Sequence, residues 1–238
     1  MKRVWLRDIE TIRAAAVAIA RWMTDGSSRS VGDPVHTYVT EGRMKQWVEA
    51  RARGEAWAMK MAYSSCGDPV HALFAMLGSR DEGIVNRTED GGEHDWIPGM
   101  NINYLTRSKV LRHPGDGMPQ PGDPTFAMNV HGGHVCILEK IMPHPTAPPT
   151  RTMWRATTHD YGQGNPVDAQ QKEKDLEIKV DTMGHTTMTL GGNPVMYWVD
   201  LSLLTLEESA LVPDSFEGGV PDENPYAEGM FPIPEGTG

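Results

Sequence analysis

The stretch PGDPTFAMNVHGGHVCIL, residues 121–138, sets the architecture. Pro121-Gly122-Asp123 reads as a turn and 125–130 as a strand. Gly132-Gly133 reads as a second turn, and 134–141 as a strand that opens on His134. The β pattern continues downstream through 152–160, 177–182, 185–190 and 195–201, with Gly191-Gly192-Asn193 as a tight connection. Upstream the periodicity is helical. Trp5, Ile9, Ile12, Ala16, Ile19 and Met23 predict an amphipathic helix over 4–24, ending near Gly26. Residues 27–42 read as a loop and 43–62 as a second helix. A short helix over 69–77 has Asp68 as N-cap, Pro69 in its first position, Gly78 as its C-terminal stop, and Val70, Leu73, Phe74 and Leu77 as its buried stripe. Residues 79–123 form a long irregular connection rich in Gly, Pro, Asn and Asp. Helices followed by antiparallel strands make an α+β class.

Composition narrows the function. The chain has 238 residues, 39% of them apolar and 23% charged, enough for a packed core and too apolar for a disordered chain. A net charge of −10 argues against wrapping duplex nucleic acid or binding an anionic membrane. Part of that charge is terminal, since Glu207 to Glu235 contains eight acidic side chains and no Lys or Arg. The only cysteines are Cys66 and Cys136, so a disulfide framework and a four-cysteine zinc site are excluded. The nine histidines form no His-Glu-x-x-His or Cys-His ligand spacing, and neither a metal nor another cofactor is expected. The N-terminal apolar run is broken by Arg7, Asp8, Glu10 and Arg13, which argues against a signal peptide, and no run is long enough to cross a membrane. Synthesis in the cytoplasm follows, with delivery to a cell wall by lysis or as part of a particle.

Three short elements carry chemistry. Ser64-Ser65-Cys66-Gly67-Asp68-Pro69 places a thiol just ahead of the short helix, where the macrodipole favours the thiolate, among small residues that keep the sulfur reachable. His134, at the start of a strand, is held rigidly and suits a general base that takes the thiol proton and returns it to a leaving amine. Thr157-Thr158-His159-Asp160-Tyr161-Gly162-Gln163 supplies a third, orienting group. Asp160 suits this role best by chemistry, with His159 second and Gln163 a further candidate; alternation puts His159 and Asp160 on opposite faces, so only one of them meets His134. Cys136, within the apolar run Val135 to Leu138, reads as a core cysteine.

A cysteine opening a helix, a Pro-Gly-Asp turn leading into a strand, and a strand beginning His-Val occur here in that order. This combination resembles the papain-like cysteine hydrolases of the NlpC and CHAP kind, over roughly residues 60–165. The resemblance implies a papain-like core of N-terminal helices packed on an antiparallel sheet, and cleavage of an amide or peptide bond, with bacterial peptidoglycan as the substrate. It implies Cys66, His134 and Asp160 or His159 as catalytic residues, with Tyr63 assisting the oxyanion. The chain divides into a helical segment (1–62), a hydrolase core (63–204) and an acidic tail (205–238). The expected partner is peptidoglycan or another peptide, with a phage or phage-like particle as a second candidate. Under the alternative function the chain is a catalytically silent structural or adaptor component of such a particle.

Overall fold

The computed structural model describes residues 2–6, 8–24, 29–32, 37–39, 66, 70, 73–74, 76–79, 96–97, 100–101, 109–129, 132–146, 152–163, 167–206, 209–218 and 220–221. In chain order the elements are β1 (Lys2–Trp5), α1 (Ile9–Thr24), β2 (Arg29–Gly32), β3 (Thr37–Val39), β4 (Trp96–Ile97), β5 (Met100–Asn101) and β6 (Leu111–Arg112). They continue with β7 (Pro124–Asn129), β8 (Gly132–Pro143), β9 (Met153–Gln163), β10 (Val167–Val180), β11 (Thr186–Leu190), β12 (Asn193–Val199), β13 (Ser209–Val212) and β14 (Val220–Pro221).

Strands β7 to β12 pair antiparallel, each with the next, and β12 pairs back onto β7. The result is a closed six-stranded barrel with α1 against its outer surface on β8, β9 and β10. This corrects the expected papain-like α+β core of helices on an open sheet. The cause is the length of β10. Its 14 residues pair with β9 along most of the strand and with β11 over Leu176–Val180, so the strand that would have been an edge closes the ring. The start of β10 also carries a short extension, β2 and β3.

Other expectations shift as well. The helix predicted from residue 4 begins at Ile9, because Asp8 caps it by accepting the Thr11 N–H at 2.7 Å, and Lys2–Trp5 is a strand. Within 27–42, read as a loop, β2 and β3 are strands. Residues 209–212 and 220–221, read as part of an acidic tail, flank β1 in a three-stranded sheet. Of the short helix, Val70, Leu73, Phe74 and Met76 are helical, and Ser79 N–H donates to the Phe74 carbonyl at 2.9 Å across the expected stop at Gly78. The helix expected over 43–62 lies outside the described residues.

Two apolar clusters follow from strand alternation. Leu138, Ala156, Leu176, Met188, Leu190, Val195 and Trp198 fill the barrel interior. Val135, Ile137, Phe126, Tyr197 and Val199 face outward under Ala15, Ala16, Ile19 and Met23 of α1 and under Leu73, Phe74 and Leu77. The Pro-Gly-Asp turn anchors the helix. Buried Asp123 accepts from Arg13 Nη1 at 2.6 Å and from the N–H groups of Gln120 (2.9 Å) and Leu201 (3.2 Å), while Arg13 Nη2 reaches Asp200 at 3.3 Å. Gly122 has φ +91, and a Cβ there would lie 3.0 Å from the Ala16 side chain, so only glycine lets α1 come this close.

Candidate active site

His134, Cys136 and Leu138 on β8, and Ala156, Thr158 and Asp160 on β9, point the same way by the two-residue period of a strand. Leu138 and Ala156 lie in the apolar part of the interior. Beyond them the interior turns polar, with His134, Thr158 and Asp160 all buried.

The sequence candidates Cys66, His134 and Asp160 come together here. Cys66 and His134 interact directly, although 68 positions separate them, and the interaction favours the charged imidazole. His134 Nε2 lies 2.7 Å from Asp160 Oδ1. Nε2 therefore carries the proton, and Nδ1 is the nitrogen left to accept one from the thiol. Burial disfavours the imidazolium, but the bonds with Asp160 and Cys66 outweigh it and raise His134 above its ordinary value of 6.5.

Asp160 has three partners. Its Oδ1 accepts from His134 and from the Lys174 ammonium, and its Oδ2 accepts from the Thr158 hydroxyl. Burial works against the carboxylate, yet these three donors hold Asp160 far below the usual carboxylate range. Lys174 and Thr158 were not visible as site residues in the sequence. Lys174 lies in the charged run Lys172-Glu173-Lys174-Asp175, and the one signal available was its spacing of two from the interior residue Leu176.

His159, the competing orienting residue, faces the other way. Its Nε2 lies 2.6 Å from Glu139 Oε2 and its Nδ1 lies 2.9 Å from the Thr24 hydroxyl, beneath the end of α1. Glu139 also accepts from Arg21 Nε at 3.0 Å and Gln171 Nε2 at 2.8 Å. Glu139 is the extra residue of a β-bulge, since Leu138 pairs with Thr158 and Lys140 with Thr157, and the bulge turns its side chain out of the barrel. Burial lowers the His159 pKa below its ordinary value, opposed by Glu139. This network fastens the helix to the barrel and does not reach His134. The side chain of Gln163, and Tyr63 with its oxyanion role, lie outside the described residues.

Two further features shape the site. A Cβ on Gly133 would sit 2.2 Å from the Phe126 ring, so glycine beside His134 lets that ring lie flat on the strand, where it stacks on Tyr197 at 4.8 Å. Cys136 is buried among interior side chains, and burial pushes its thiol up to about 12, so it is unreactive at neutral pH. Among the described residues no group of three His, Cys, Asp or Glu side chains is placed to hold a metal ion, and no helix is long and apolar enough to cross a membrane. A comparison with protein-family models, curated proteins and solved structures finds no match.

Proposed function

We propose that the chain is a cysteine hydrolase that cleaves an amide or peptide bond. The observation that carries this reading is the chain of contacts from the Cys66 thiol to His134 and from His134 Nε2 to Asp160 Oδ1 at 2.7 Å. The proposal rests on this side-chain geometry, because a barrel by itself specifies no chemistry.

Nδ1 of His134 takes the Cys66 proton, and the thiolate attacks the carbonyl carbon. The tetrahedral intermediate collapses as the imidazolium protonates the departing amine, leaving an acyl thioester on Cys66. Water then gives its proton to His134 and attacks the thioester, releasing the acid and restoring the thiol. Asp160 keeps the ring in the required tautomer and offsets the imidazolium charge.

Bacterial peptidoglycan is the first substrate to test, as the resemblance to NlpC and CHAP hydrolases implies. Cys66→Ala is expected to abolish release of soluble fragments from purified cell wall while leaving the circular dichroism spectrum unchanged. Cell-wall hydrolysis that persists in this variant would remove the mechanism. One observation favours a second reading, a catalytically silent component of a phage or phage-like particle: Cys66 is only 7% exposed. Equal and slow alkylation of Cys66 and Cys136 by iodoacetamide at neutral pH would support that reading over hydrolysis.

A further inference from the structure

We propose that Lys174 is a positioning residue of this site: its ammonium, held against the same Asp160 oxygen that binds His134, fixes the carboxylate and balances its charge. The assignment rests on the hydrolase reading for its catalytic meaning, but its geometry stands apart from any substrate.

Three observations carry it. Lys174 and His134 donate to one atom, Asp160 Oδ1, from the neighbouring strands β10 and β8 on either side of β9. The Thr158 hydroxyl occupies Oδ2, so the carboxylate is gripped at both ends and cannot rotate. The stem of Lys174 passes beside Gly191, in the turn between β11 and β12, and the side chain is only 19% exposed. A lysine turned into a barrel loses hydration, and a charge partner must offset that loss.

The charge count shows what this cation does. The groups facing the pair are Cys66, His134 and Cys136, with Lys172 further along β10 and His159 behind Asp160. With Cys136 neutral, the reactive form holds a Cys66 thiolate, a His134 imidazolium, an Asp160 carboxylate and a Lys174 ammonium, which sum to zero. Without Lys174 the same four positions carry a net negative charge. The carboxylate then acts on His134 at full strength, and the imidazolium keeps its proton to higher pH. Lys174 thus keeps His134 able to give up its proton to the leaving group and to serve as a base again in the hydrolysis of the acyl-enzyme.

The test needs no substrate. The full chain is titrated by NMR of the histidine rings, with His134 assigned by comparison with His134→Gln. Lys174→Met is expected to raise the His134 midpoint by about one pH unit, and Lys174→Arg to hold it within roughly 0.3 unit of wild type. A folded Lys174→Met protein with an unmoved midpoint overturns the proposal, because a purely structural lysine would change stability and not the titration. Should the Met variant fail to fold, acetylation by acetic anhydride, mapped by mass spectrometry, decides the matter. Asp160→Asn is expected to speed acetylation of Lys174 roughly tenfold by removing the negative charge that holds its proton, with Lys140 as the surface reference; an unchanged rate overturns the proposal. A shifted His134 midpoint in a protein that hydrolyses nothing would sink the hydrolase reading and leave this assignment standing.

Discussion

Asp160→Asn probes the site most directly, and the structure limits what the amide can do. An asparagine side chain has one acceptor oxygen and one NH2 group. At the Oδ1 position the NH2 group would face the Lys174 ammonium, donor against donor, so the oxygen stays there and the NH2 turns to Thr158, whose hydroxyl can accept. His134 Nε2 then keeps an acceptor and the ring keeps its tautomer. What is lost is charge, which separates this case from substitutions that reverse the tautomer and cost roughly 10⁴ in rate. An opposite charge in direct contact is worth about one to three pKa units, and Lys174 already offsets part of it, so the lower end applies. Alkylation of Cys66 by iodoacetamide at pH 7 should slow by roughly tenfold. Lys174 is left with a neutral partner, costing about 3 kcal/mol. For a chain of this size that lowers Tm by roughly 6–12 °C. Peptide mapping gives both cysteine rates in one sample, and Cys136, with its thiol pushed up to about 12, serves as the silent control. An Asp160→Asn protein that alkylates Cys66 within a factor of two of wild type would refute the claim that this carboxylate supports the thiolate–imidazolium pair.

Two further predictions separate site from scaffold. His159→Gln should leave Cys66 alkylation within about twofold of wild type, yet lower Tm by roughly 3–8 °C as Glu139 loses a partner; a tenfold loss of alkylation would place His159 in the site. Asp160 has a folded pKa below its unfolded value of 3.8, so it contributes stability above that value, and this contribution fades as pH falls through the folded pKa. Urea unfolding should therefore show wild type losing stability from about pH 4 downward more steeply than Asp160→Asn, and parallel curves would contradict the pairing.

Much of the barrel was legible, and one strand conceals why closure was not. The alternation of 134–141, 152–160, 185–190 and 195–201 marks strands because one face of each is apolar. In β10 only the end beyond Leu176 shows that signal. Its earlier half, Gln170-Gln171-Lys172-Glu173-Lys174-Asp175, is polar on both faces, solvent outside and the polar part of the interior within, so it carries no strand signal. The side chain that supports Asp160 thus hides the strand that closes the ring. Cys66, His134 and Asp160 were readable because thiol, imidazole and carboxylate carry their chemistry in their identity, whereas the choice between Asp160 and His159 depended on which face of β9 turns inward. Nothing local announced Glu139, whose outward aim comes from a bulge set by pairing across strands.

A ring of six staves also has no loose end along which a strand can slide. In an open sheet a one-residue slip disturbs one seam, whereas here it must be matched at every seam around the circumference. That locks in the choice between two adjacent side chains on β9. One residue inserted ahead of His159 would turn its imidazole into the lumen toward His134 and would drive Asp160 outward, setting ring against ring inside and leaving Lys174 with no carboxylate to face.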